Sequence, residues 1–187
     1  MERISFCIVG PQGAGKSTVA SYLKTVFPDY EVISSGSLWD EILGKHLTHY
    51  ERTVEQKKIV AEKGEAFFVQ FMTDKIRRAR EADPGLGFIV EGVRSREVLE
   101  ALRYFFGPEM FFLWVSAADG TRMRRSEKRG DENDFQDRER RDEEQFHVKA
   151  LRELCDASIA NDSDDKEVVY REVDLIVDGL HVTRISD

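Results

Sequence analysis

The chain has 187 residues, 41% hydrophobic and 34% charged, with a formal net charge of −8. This fits one globular domain with a single sizeable core, and the acidic balance argues against nucleic acid as main partner, which would need a local basic groove. Cys7, in an apolar run, and Cys155, read as helical, form no C-x-x-C pair, so no disulfide framework or zinc site is readable and a reducing cytoplasm fits. No secretory leader is read before the first strand, and no apolar run approaches membrane-spanning length.

The first element predicted is a buried parallel strand, Ile4-Ser5-Phe6-Cys7-Ile8-Val9. Gly10-Pro11-Gln12-Gly13-Ala14-Gly15-Lys16-Ser17 follows and fits G-x-x-x-x-G-K-[ST] without mismatch. Glycines let such a loop present its amides inward, the lysine reaches β/γ-phosphates, and the serine hydroxyl can ligate Mg²⁺. A helix opening at Ser17 supplies orphan amides and a dipole that favour negative charge. Chance would produce the string in a chain of this length on the order of 1% of the time. Gly10, Gln12, Gly13, Ala14, Gly15, Lys16, Ser17 and Thr18 are therefore the candidate nucleotide-phosphate site.

Phe27-Pro28-Asp29 reads as a turn, Tyr30–Ser34 as a second strand, and Ser35-Gly36-Ser37 as a turn capping a helix near Leu38. Residues 53–80 are helical in pattern with a break at Gly64. Phe67, Phe68 and Phe71 read as a packing face rather than a base-stacking site. After the turn Asp83-Pro84-Gly85 come a strand, Gly87–Gly92, carrying Glu91, and an amphipathic helix, Ser95–Phe106, with Val98, Leu99, Leu102 and Phe106 inward. Met110–Val115 is another apolar strand. A helix from Asp119 leads into the charged stretch 122–144, Ala157–Asn161 is a last strand, and 166–180 a closing helix. Strands alternating with helices predict an α/β fold, a parallel sheet with helices on both faces. Ligands of such sheets bind beyond the carboxyl ends of the strands, which carry Gly10, Ser34-Ser35, Glu91, Ser116 and Asn161.

Glu91 is a candidate for holding Mg²⁺ beside Ser17, with a salt-bridged or capping acid as its alternative. Arg94 suits bidentate binding of an acceptor phosphate, with an ion pair as its alternative. Most of the stretch 122–144 reads as a solvated, ion-paired surface. Phosphoryl transfer, however, needs cations that close over the transferring group, and Arg125, Arg129, Arg138 and Arg141 are the pool, with Arg129-Gly130-Asp131-Glu132-Asn133 as hinge. His46, His49, His147 and His181 form no metal-spaced set, and neither an Asp-x-x-Gly switch nor an Asn-Lys-x-Asp base reader is present.

Over nearly its whole length the chain resembles the adenylate-kinase-like P-loop kinases, nearest to nucleotide kinases related to CMP and AMP kinases. Besides the P-loop, Glu91-Gly92-Val93-Arg94-Ser95 looks like that group's Asp-Gly-Ile-Arg-Ser. Arg122 to Gly130 looks like the start of its lid, and Arg141-Asp142-Glu143-Glu144 like the lid's end. Asp156 to Asn161 looks like the strand whose following loop lies near adenine. The resemblance implies a P-loop NTPase three-layer α/β/α sandwich with a five-stranded parallel sheet, an acceptor-binding helical insert at about 36–80 and a lid at about 122–146, in one domain spanning 1–187. It implies ATP and Mg²⁺, and transfer to a nucleoside or deoxynucleoside monophosphate, with Lys16, Arg94, Arg129 and Arg138 catalytic and Arg125 and Asn161 on the nucleotide. Asp40 stands where the family has a phosphate-binding arginine; Arg94 or Arg52 would compensate. Dephospho-coenzyme A kinases share the P-loop and the Asn strand, though Ser34-Ser35-Gly36 lacks their Asp-x-Asp. A nucleotide-sensing regulatory NTPase with a protein partner is the reading from another class. Monomer and homodimer both stay open.

Overall fold

The computed structural model describes residues 3–45, 49–64, 66–129 and 132–185. Strands β1 (Ser5–Val9), β2 (Glu31–Ser34), β3 (Phe88–Val93), β4 (Met110–Ser116) and β5 (Ala157–Ala160) form one sheet in the order β2-β3-β1-β4-β5, every neighbouring pair parallel. The helices are α1 (Lys16–Val26), α2 (Ser35–Leu43), α3 (His49–Lys63), α4 (Ala66–Ala82), α5 (Arg96–Phe106), α6 (Asp119–Arg129), α7 (Glu132–Phe146) and α8 (Lys166–Ile185). The expected α/β sandwich on a five-stranded parallel sheet is the observed fold.

The strands read as unbroken apolar runs because both faces of the sheet are covered. Successive side chains alternate between two cores. Phe6 and Ile8 pack with Val19 and Leu23 of α1 and with Val169, Val173 and Val177 of α8. Cys7 and Val9 pack with Leu38 and Trp39 of α2, Phe68, Met72 and Ile76 of α4, and Val98, Leu99 and Leu102 of α5. Because β1 lies between β3 and β4, the chain reverses its winding direction there. The carboxyl ends part at that point and open a crevice.

Several local expectations shift. Ser35-Gly36-Ser37 is the first turn of α2, not a turn before it; the cap is Ser34, whose Oγ accepts from Gly36 N at 3.2 Å. Cys155 lies outside a regular helix, closing a 3₁₀ segment, Val148–Leu154, that leads into β5. β3 runs past Glu91 to Val93. Its register against β1 slips between Ile8 and Val9, leaving Gly92, at φ 79°, as the extra residue of a bulge. The bulge re-aims the strand beyond Glu91, so Glu91 and Arg94 both reach the crevice. Gly64, at φ 78°, separates α3 from α4 as expected. Among the described residues no helix is long and apolar enough to cross a membrane.

Candidate active site

The G-x-x-x-x-G-K-S loop joins β1 to α1 at the centre of the sheet. Gly15 caps α1 at φ 96°, a conformation that side chains resist, and an added Cβ would overlap Asn161 Nδ2. Side chains hold the carbonyls of residues 10–14, three of them from elsewhere in the chain. Lys16 Nζ donates to Gly10 O at 2.7 Å and Pro11 O at 2.8 Å. Arg122 Nη1 donates to Gln12 O at 3.1 Å, Arg125 Nη1 to Gly13 O at 3.5 Å, and Asn161 Nδ2 to Ala14 O at 2.9 Å. The Gln12 side chain is buried, yet neither of its polar atoms has a partner among the described residues. A cradle too tight for a Cβ, beside an orphaned buried amide, fits a chain of phosphates. The hydroxyl of Ser17 and the carboxylate of Glu91 are oxygen donors of the kind Mg²⁺ takes. Among the described residues no three His, Cys, Asp or Glu side chains cluster for a metal, so phosphate oxygens would complete such a site.

Charge is concentrated beyond the loop. Burial, aided by the Arg94 guanidinium, pushes the Lys16 pKa down to about 7, with Asp142 and Glu91 acting against it. Burial raises the Glu91 carboxyl, and Lys16 acts against that shift. Arg94 Nη1 donates to Asp142 Oδ1 of α7 at 2.8 Å. Asp142 is 6% exposed and the Arg94 side chain 34%, so the pair is part-buried rather than fully solvated.

Glu91, Arg94 and Asp142 open onto a cavity of about 670 Å³ between the sheet edge, α2–α4 and α7. Trp39 and Phe68, stacked at 4.6 Å, form its apolar wall with Val60, Val98 and Phe146. Arg52, Lys57 and Arg138 join Arg94 as cations, and Gln56 and Gln145 add amides. Asp40, which alone would repel an anion, is held by Arg52 through Nε at 2.8 Å and Nη2 at 3.0 Å.

Of the residues singled out from sequence, Lys16, Glu91 and Arg94 converge on the crevice, and Arg138 reaches the cavity from α7. Arg125 lies beside the loop and donates to Asn161 O at 2.9 Å and Ser163 O at 2.7 Å. Asn161 turns its amide to the loop backbone. Arg129 ends α6 and Arg141 lies within α7, but their side chains are outside the described ones, as are Gly130 and Asp131 of the hinge and His46. Arg122 is an exception to the reading of most of its stretch as solvated: it is 1% exposed. The sequence placed Asp142 at the lid's end without a partner, and Gln56 and Gln145 were not singled out. Helical spacing carried a signal, since 138, 142 and 145 share one face of α7, and 52, 56 and 60 one face of α3.

Fold and loop together define a P-loop nucleotide-binding protein of the kinase-like type. The chain belongs to the family described as the AAA domain, whose model matches residues 7–147. No curated protein matches it. Among solved structures it is similar to shikimate kinase from Acinetobacter baumannii in complex with shikimate, at 16% identity, over 95% of this chain and 94% of that one, with a TM-score of 0.60. Shikimate kinase from Aquifex aeolicus is similar at 18% identity over 96% and 99% of the two chains, TM-score 0.56. An uncharacterized protein from Eubacterium ventriosum is similar at 17% over 95% and 99%, TM-score 0.61. At these identities the likeness is one of fold. It carries the P-loop kinase resemblance and not the narrower one to adenylate kinases.

Proposed function

We propose that the chain is an ATP-dependent phosphotransferase that phosphorylates a small anionic acceptor held in the 670 Å³ cavity, with a nucleoside monophosphate as first reading. One observation carries it: the cavity adjoins the phosphate loop and shares Glu91, Arg94 and Asp142 with the surroundings of Lys16. The loop amides and Lys16 hold the donor phosphates. Ser17 and Glu91 would hold Mg²⁺, which would supply positive charge against the donor phosphates. Arg94 and Arg138 orient the acceptor anion, Arg52 is tied to Asp40 at its rim, and α6–α7 act as the lid that excludes water. Such transfer is in-line and rests on positioning and electrostatics, with no covalent intermediate.

An alcohol acceptor is the second reading. Two carboxylates in the cavity favour it, because a hydroxyl nucleophile must pass its proton to a base such as Glu91, which a phosphate acceptor need not. The solved neighbour that holds shikimate is consistent with it.

The test is phosphorylation from Mg·ATP across ribo- and deoxynucleoside monophosphates, dephospho-coenzyme A and shikimate. Saturable transfer to a monophosphate supports the first reading, and transfer to an alcohol the second. Saturable ATP binding with no acceptor phosphorylated, and association triggered by nucleotide, would overturn both in favour of a sensing NTPase. Lys16→Ala is expected to abolish turnover without unfolding the chain; a fully active variant would contradict the donor site.

A further inference from the structure

Arg122 has no part in the donor and acceptor roles above, yet among the described residues it is the largest side chain that is fully buried. Burying a guanidinium is costly unless most of its protons find acceptors; Nε has no partner among the described residues, so the two terminal nitrogens carry the attachment. Nη1 bonds Gln12 O at 3.1 Å, and Nη2 bonds Asp119 Oδ1 at 2.7 Å and Glu139 of α7. The ring of Phe135, also on α7, lies 5.5 Å from the guanidinium carbon. One cation thus ties the phosphate loop to both α6 and α7.

The attachment to Gln12 O bears on nucleotide binding through peptide geometry. In a planar trans peptide a carbonyl and the amide that follows it point in opposite directions. A donor that holds Gln12 O on one side of the loop turns the Gly13 amide to the other. Asn161 does the same to the Gly15 amide through Ala14 O. Gly13 and Arg122 also pack backbone to backbone: an added Cβ on Gly13 would come within 3.0 Å of Arg122 O.

We infer that Arg122 is a positioning residue for nucleotide binding, which keeps the Gly13 amide turned to the phosphates and, through Glu139, makes the form of the loop depend on where α7 sits. It acts through the backbone, without touching the donor. The inference rests on the donor reading above. It requires a planar fork, because acceptors on three elements lie in different directions, and lysine cannot supply that.

Arg122→Lys and Glu139→Gln test it, with Mg·ATP and Mg·tripolyphosphate as probes in calorimetry and amide exchange read along the loop. Arg122→Lys is expected to weaken both probes equally, by about tenfold, since the lost grip is on phosphate and not on the nucleoside. Exchange at residues 12–15 should quicken in the ligand-free protein while β1 stays protected, which a general loss of stability would not produce. Glu139→Gln should act in the same direction by about threefold. Wild-type affinity in a folded Arg122→Lys, or a loss confined to ATP, would overturn the inference. If Arg122→Lys does not fold, Glu139→Gln decides, because the Glu139 side chain is 27% exposed and its neutralisation leaves no cavity; unchanged affinity there overturns the inference as well. Normal wild-type uptake with unaffected variants defeats this inference alone, whereas absence of wild-type uptake defeats the donor reading with it.

Discussion

Lys16 is the residue on which the proposed chemistry turns, and its shifted pKa makes the candidate site sensitive to pH. Its pKa in the folded protein, about 7, lies below the ordinary 10.5. Between those values the unfolded chain binds more protons than the folded one, so this group makes stability of the ligand-free protein rise with pH across that window. Below pH 7 both states carry the charge, and the cost of enclosing the ammonium is felt in full. Phosphates favour the charged form. Binding of Mg·ATP at pH 8 should therefore take up about one proton, and affinity should fall as pH rises from 7 to 9. Calorimetry in buffers of different ionisation enthalpy checks this; buffer-independent heats would contradict it. The Lys16 site was legible in sequence because loop, ammonium and helix start are contiguous. The burial of Arg122 was not. A run such as Arg122-Met123-Arg124-Arg125 reads as solvated, and only the arrival of Gln12 and Glu139 from elsewhere in the chain creates acceptors that let one of its charges be buried.

At the scale of elements, α7 connects the two halves of the crevice. Phe135 and Glu139 approach Arg122 and the loop, while Arg138, Asp142 and Gln145 face the cavity. The strands and most helices were legible because apolar periodicity and Gly or Pro stops mark them locally. The contacts of α7 were not, since spacing gives a helix its faces but not its neighbours. Asp142 shows the consequence. In the ligand-free protein it holds the Arg94 guanidinium that an acceptor anion would need. Asp142→Asn should therefore lower KM for an anionic acceptor by about three- to tenfold and leave KM for ATP nearly unchanged at the acid end of the range, where Lys16 stays charged. It should also move the pH-dependent fall in ATP affinity to lower pH, because Asp142 helps to hold up the Lys16 pKa. Steady-state kinetics over pH 6–9 read both effects; an unchanged or raised acceptor KM would remove Arg94 from acceptor binding.

Across the whole molecule, the sheet separates two cores that support different sides of the crevice. One core carries α1 and α8 beneath the phosphate loop; the other carries α2, α4 and α5 beneath the cavity. Parallel pairing sets all five strand ends at one edge, so residues far apart in sequence, such as Gly10, Glu91 and Asn161, meet there. That convergence could be read from the strand order of the fold class, which explains why the location of the candidate site was legible while its detailed contacts were not. A ligand that binds only the assembled edge must stabilise the whole chain, because neither core alone completes the loop. At a hundredfold excess over Kd, Mg·ATP should add about 2.7 kcal/mol. For a domain of this size that corresponds to a rise in Tm of roughly 5–10 °C. Arg122→Lys should show a smaller rise at the same Mg·ATP concentration, since the ligand is then less saturating. A scan in which Mg·ATP leaves wild-type Tm unmoved would show that the edge, although formed, does not take the nucleotide.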